Sequence, residues 1–359
     1  MQLFPTPDNP IPGNATLMSV TTSDGIVLRV AHWKATTREV RGTVCILQGR
    51  AEFIEKYFEV VRDLRGRGFA VAAFDWRGQG HSGRQVGSPR KGHVRHFDDY
   101  RKDLDAIRDQ VLIPHLPEPY FALAHSMGGA IAIQAAADGF LPFRRLVTTT
   151  PMIALCIIKP VKTAAVTVQL MNLLGLGKSF VPGGGETSIS RLPFAGNRLT
   201  SDPVRYARNA DAAAAVGHGA IGAPTVAWLH AAFRLMKRFT DPRFGVKVRV
   251  PTLIIAAGAD LVCATPATER LAARLKAGHV IVIPGARHEI LMEKDEIRDL
   301  FWAAFDAFIP GTPDEQISGR EPVPVAKDLE KETESLLERS AAEEFEGSGM
   351  DAAVAGGEH

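Results

Sequence analysis

Three kinds of protein are excluded by what this chain lacks. It has only three cysteines, Cys45, Cys156 and Cys263, in 359 residues. They are too few and too scattered for a disulfide scaffold, and no pair has metal-site spacing. They favour reduced thiols in a cytoplasmic protein. No apolar run reaches the ~20 residues of a membrane-spanning helix. The longest candidate starts at Met152 and is broken by Lys159, Pro160 and Lys162. The opening MQLFPTPDNPIPGN has neither a basic start nor an apolar stretch, so no signal peptide is expected. Net charge is also small, +2, but it is unevenly spread. From residue 311 onward there are 13 acidic against 4 basic residues, a net −9, which leaves the body at +11. A basic body suits peripheral contact with an anionic membrane face, and it equally describes a solvated surface. No nucleic-acid partner is expected, and the oligomeric state is open.

What is present is an ordinary globular balance of 45% hydrophobic and 23% charged residues, enough to bury a sizeable core. Residues 17–33 read as two strands around Ser23-Asp24-Gly25. Short apolar runs at 43–47, 69–74, 120–124, 145–149, 252–256 and 279–283 read as strands of a parallel sheet covered on both faces. Amphipathic helices lie between them, with Ile54, Tyr57, Phe58 and Val61 on one face, then Tyr100, Leu104, Ile107 and Val111, then Ile297, Leu300, Phe301, Ala304 and Phe308. The alternation stops at about Pro151 and resumes near Val248. That stretch is too long for a loop and reads as helical. The expected organisation is an α/β core over 1–150 and 249–310, a helical cap over 151–248, and an acidic disordered tail over 311–359.

The chemistry concentrates in three loops. Ala124-His125-Ser126-Met127-Gly128-Gly129 joins a strand to a small-residue helix, the context a nucleophile elbow requires. The turn is tight, so the residues two positions either side of the serine must be small; Ala124 and Gly128 are. A serine hydroxyl needs a base to take its proton. His288 follows the last strand, in Gly285-Ala286-Arg287-His288-Glu289. The base needs a carboxylate to hold its tautomer. Asp260 follows the preceding strand in Gly258-Ala259-Asp260. Asp75 is a rival but precedes the serine, and His125 reads as structural. The oxyanion needs two backbone N–H donors. Met127 is one, and Arg50, or alternatively Ala51, is the other. Cys263 reads as a small buried hydrophobe beside the site, or as a point where thiol reagents would block it. The chemistry requires no cofactor and no metal.

Together these residues resemble the α/β-hydrolase superfamily, and within it the lysophospholipase and monoacylglycerol lipase branch. AHSMGG is similar to that branch's GHSMGG elbow, FDWRGQGHSG (74–83) to its D-x-R-G-x-G-x-S loop, and GADLVC and GARHEI to its acid and histidine loops. The resemblance spans about 20–309. It implies an α/β-hydrolase fold with a mostly parallel sheet and inserted cap, a Ser126–His288–Asp260 triad, and hydrolysis of lipid esters, lysophospholipid or monoacylglycerol, through an acyl-enzyme. An acyltransferase with the same triad and a non-catalytic binding protein are the competing readings. Two positions depart from the branch. Gln48 stands where it has histidine, and Ala124 where it has the first elbow glycine. Asp75 and Arg77 are expected to brace loops.

Overall fold

A computed structural model describes residues 1–140 and 142–309; the expected tail at 311–359 lies outside the described residues. Strands β1 (Thr16–Thr21) and β2 (Val27–Trp33) form the expected hairpin. They extend a sheet completed by β3 (Gly42–Leu47), β4 (Phe69–Phe74), β5 (Tyr120–His125), β6 (Arg145–Thr149), β7 (Thr252–Ala257) and β8 (Gly278–Ile283). The order is β1-β2-β4-β3-β5-β6-β7-β8, antiparallel from β1 to β4 and parallel thereafter.

The continuous apolar runs are explained by two cores, one on each face. In β3, Val44 and Ile46 point into a cluster with Phe69, Val71 and Phe121, whereas Cys45 and Leu47 point into the opposite one. Because side chains alternate along a strand, a strand covered on both faces is apolar at nearly every position, with only hydrogen-bonded or small polar residues such as Thr43 admitted. Helix α1 (Phe58–Gly66) closes the first face. Helices α2 (Asp99–Ile107), which runs on through a wide turn at Arg108–Leu112 into α3 (Ile113–His115), and α4 (Met127–Ala137) close the second. Helices α5 (Val161–Leu173), α6 (Pro203–Val216) and α7 (Val226–Phe239) lie between β6 and β7. Helix α8 (Thr265–Ala272) joins the second face, and α9 (Asp295–Phe308) joins the first. The run at 279–283 departs from its expected full burial. As edge strand β8 it leaves Ile281 and Val282 exposed.

The chain lays β4 on one side of β3 and β5 on the other. This reversal opens a crevice beyond the carboxyl ends of β3 and β5, where open α/β sheets bind ligands. The helices between β6 and β7 are tied to loops at that edge. Gly222 N–H donates to Arg90 O, Ala264 N–H to Ala154 O, and Glu289 N–H to Leu199 O. The caps of α6 and α7 are side chains. Asp202 accepts from Val204 and Arg205 N–H, and Thr225 accepts from Trp228 N–H.

Candidate active site

Ser126 sits between β5 and α4 with φ 50° and ψ −111°, a strained backbone for a non-glycine residue. Its N–H donates to Thr149 O at 3.0 Å, which anchors the turn to β6. The turn also explains Gly128. A Cβ there would meet Leu47 O at 2.1 Å, so β3 and α4 can approach only over glycine. Ser126 Oγ lies 2.9 Å from His288 Nε2. On the other side of the ring, His288 Nδ1 lies 2.9 Å from Asp260 Oδ2. A carboxylate can only accept, so the proton belongs on Nδ1 and Nε2 is left to accept from the serine. Asp260 is aimed by two backbone donors, Val262 N–H at 2.8 Å and Cys263 N–H at 3.0 Å, both to Oδ1. Burial tends to raise its pKa, but the His288 contact and these donors outweigh that and hold it below the usual carboxylate value.

The structure therefore brings Ser126, His288 and Asp260 into one hydrogen-bonded chain from three distant loops. Two backbone N–H groups are the candidates expected for the oxyanion. Met127 is the first residue of α4, so its N–H has no intrahelical acceptor. In the β3 loop, Ala51 N–H is taken by Gln79 Oε1 at 3.2 Å, whereas Arg50 N–H has no acceptor among the described residues. Gln48, the residue at the branch's histidine position, is fully buried. With its side-chain nitrogen toward Phe74 O it donates there at 3.3 Å and accepts from Ile54 N–H at 3.1 Å. Asp75 accepts from Arg29, Ile54 N–H and His81 N–H, and Arg77 pairs with Asp24 and Asp103. Both brace loops. His125 Nδ1 lies 3.0 Å from Thr149 Oγ1, and burial drops its pKa to about 3, so it stays neutral.

One cluster was not foreseen. Beneath the site, the Lys56 ammonium bridges Glu52 Oε1 at 2.7 Å and Glu289 Oε1 at 2.6 Å, all three buried. Glu52 also receives Gly49 N–H at 2.5 Å and the Tyr57 hydroxyl at 2.6 Å. The β3 loop and the histidine loop are thereby pinned to one cation. Burial pushes Glu52 up, but Lys56 and its other partners overcome this and bring it down to about 2. The Glu52–Lys56 spacing is an i,i+4 pair visible in sequence. The Lys56–Glu289 contact spans 233 positions and leaves no local signal.

Among the described residues one trio, Asp260, Cys263 and His288, groups ligand-type atoms, within 4.8 Å of one another. Both His288 ring nitrogens and both Asp260 oxygens already have hydrogen-bond partners. Cys263 is buried against Ser126, and that burial raises its thiol pKa well above normal. The thiol is therefore a neutral neighbour, not a second nucleophile.

This sheet order, elbow and insertion define the chain as an α/β hydrolase. Solved structures agree on the fold. A monoglyceride lipase from Saccharomyces cerevisiae superposes with TM-score 0.64 at 20% identity, covering 84% of this chain and 98% of that one. A carboxyl esterase from Bacillus coagulans superposes with TM-score 0.66 at 22% identity, covering 82% and 97%. Residues 38–295 match the serine aminopeptidase S33 family, and the chain belongs to that family. It is 33% identical over 290 residues to lysophospholipase L2 of Escherichia coli K12, covering 77% of this chain and 82% of the relative. It is 31% identical over 276 residues to the probable lysophospholipase L2 of Haemophilus influenzae, covering 76% and 85%. A 137-residue stretch is 33% identical to human monoglyceride lipase, covering 36% of this chain and 41% of that one.

Proposed function

We propose that the chain is a serine hydrolase of lipid carboxylic esters, acting on lysophospholipids or monoacylglycerols. The observation that carries this is the Ser126–His288–Asp260 hydrogen-bond chain at the sheet's switch point. Ser126 Oγ attacks the ester carbonyl as His288 Nε2 takes its proton, and Asp260 stabilises the imidazolium. The oxyanion that forms is held by Arg50 and Met127 N–H. Collapse expels the alcohol, protonated by His288, and leaves an acyl-serine. Water, deprotonated by the same imidazole, then releases the fatty acid.

The helical insertion, 151–248, is the cap of this site. Met152, Ile153 and Val168 pack inward, while Val166, Leu170, Leu173 and Leu174 stay exposed on and just after α5, near Lys159, Lys162 and Lys178. An apolar face beside lysines favours contact with an anionic lipid surface. Among the described residues no helix is long and apolar enough to cross a membrane. Peripheral contact at the cytoplasmic face, where three free thiols stay reduced, is the reading we adopt. The test is labelling and turnover. Wild type is expected to react with a fluorophosphonate and to hydrolyse lysophosphatidylcholine or monooleoylglycerol. Ser126→Ala is expected to lose labelling and on the order of 10⁵-fold in kcat at unchanged melting temperature. No wild-type turnover across an ester panel would end this reading.

A further inference from the structure

Three buried arginines are neutralised by carboxylates. Arg29 pairs with Glu55 and Asp75, Arg77 with Asp24 and Asp103, and Arg298 with Glu59 and Asp63. Arg84 has no such pair, but carbonyls of Gln79, Gly80, Ser82 and Pro89 receive its donors. Arg50 has neither solution. Its Nη2 donates to Gly222 O at 2.6 Å, its Nε is buried without a partner, and no carboxylate pairs with it among the described residues. Its Nη1 is left without a partner and is not sealed from solvent. The Trp228 ring lies 5.2 Å from Cζ. Burial lowers this guanidinium to about 10, the direction expected of a desolvated cation with no counter-charge. Partly exposed and without a carboxylate among the described residues, the fork keeps a donor free to take an anion.

Its position says which anion. The Arg50 N–H is the proposed oxyanion donor, so the guanidinium lies one side-chain length from the ester carbonyl, under the α7 end of the insertion. The covalent path from an arginine backbone nitrogen to its guanidinium carbon has as many bonds as the path from the ester carbonyl carbon of a 1-acyl-glycerophospholipid to its phosphorus. One residue can therefore span both ends of that substrate, with backbone on oxyanion and fork on phosphate. We infer that the Arg50 side chain is a phosphate subsite of the cleft, selecting lysophospholipid over uncharged monoacylglycerol. This rests on the lipid-esterase reading above and narrows it.

The experiment measures kcat/KM for 1-oleoyl-lysophosphatidylcholine and for monooleoylglycerol in wild type, Arg50→Lys and Arg50→Gln. The ratio of the two is expected to fall at least about tenfold in Arg50→Gln, mainly through KM, with Arg50→Lys between. An unchanged ratio, including equal loss on both substrates, overturns the inference while leaving the esterase reading intact. Wild type supplies a second readout that survives if the variants misfold. Dodecyl phosphate should inhibit monooleoylglycerol hydrolysis at a concentration at least about tenfold below that of dodecanol. Equal potency overturns the inference. Inorganic phosphate inhibiting as well as dodecyl phosphate overturns the headgroup assignment. Failure of wild type on both substrates would instead remove the reading beneath it.

Discussion

Helices α4 and α5 are built from similar residues, MGGAIAIQAAA and VKTAAVTVQLMNL, and neither shows a strong apolar stripe. Their surroundings are opposite. In α4 every residue but the last is buried, because the helix is clamped between β3, the end of β6 and the second-face core. In α5 only Val168 is buried, and Leu173 is 75% exposed. The comparison teaches that two helices of similar composition can be sealed behind the nucleophile in one case and left facing outward in the other. The first arrangement serves geometry, because the N-terminus of α4 must stay aimed at Ser126. Under the function proposed above, the second would serve encounter, because exposed apolar surface is tolerated where a lipid covers it.

The sharpest way to break the comparison is to spoil the packing behind the elbow. Gly128→Ala places a methyl where Leu47 O already stands, so β3 and α4 must separate. Loss of at least about 3 kcal/mol is expected, together with abolished fluorophosphonate labelling, measured by denaturant unfolding and gel labelling. Retained labelling at wild-type stability would show that α4 is not clamped.

Lys56→Met tests the clamp from the other side. It leaves Glu52 and Glu289 buried without their cation, for an expected cost of about 3–5 kcal/mol. It also predicts a pH effect. The Glu52 carboxylate is depressed to about 2, so its stabilisation is present above its unfolded pKa, near ~4.3, and fades as pH falls toward about 2. Without Lys56 that depression is lost, so the acid-unfolding midpoint should rise. An unmoved midpoint in a pH-jump fluorescence titration would count against the bridge.

The smallest effect on the folded chain is expected on α5. Leu170→Ser with Leu173→Ser should change the melting temperature by only about 1–2 °C, since these side chains bury little. Sedimentation with anionic vesicles should nevertheless fall several-fold. A large loss of stability with unchanged vesicle binding would reverse the roles assigned to the two helices.

Much of this was legible in the chain itself. Strands β3 to β7 announce themselves because burial on both faces leaves few polar positions, and the loops after β5, β7 and β8 carry Ser126, Asp260 and His288 in chain order. At position 51, held open beside Arg50 as an oxyanion donor, the N–H is taken by Gln79, a contact from another loop that no local pattern shows. The buried bridge from Lys56 to Glu289 had no pattern to betray it, since pairs so far apart in sequence leave no periodicity. The edge exposure of β8 was also hidden, because an apolar run looks alike at the centre and the rim of a sheet.

Local order therefore determined the strands, the elbow and the candidate nucleophile, base and acid, since each depends on short-range periodicity and turn sterics. Tertiary structure alone decided which apolar helix is sealed, which charges are paired, and that Arg50 is left without an acid among the described residues. Those outcomes depend on which surfaces meet across the sheet's crevice, and contact energies between distant segments are written in no single stretch of the chain.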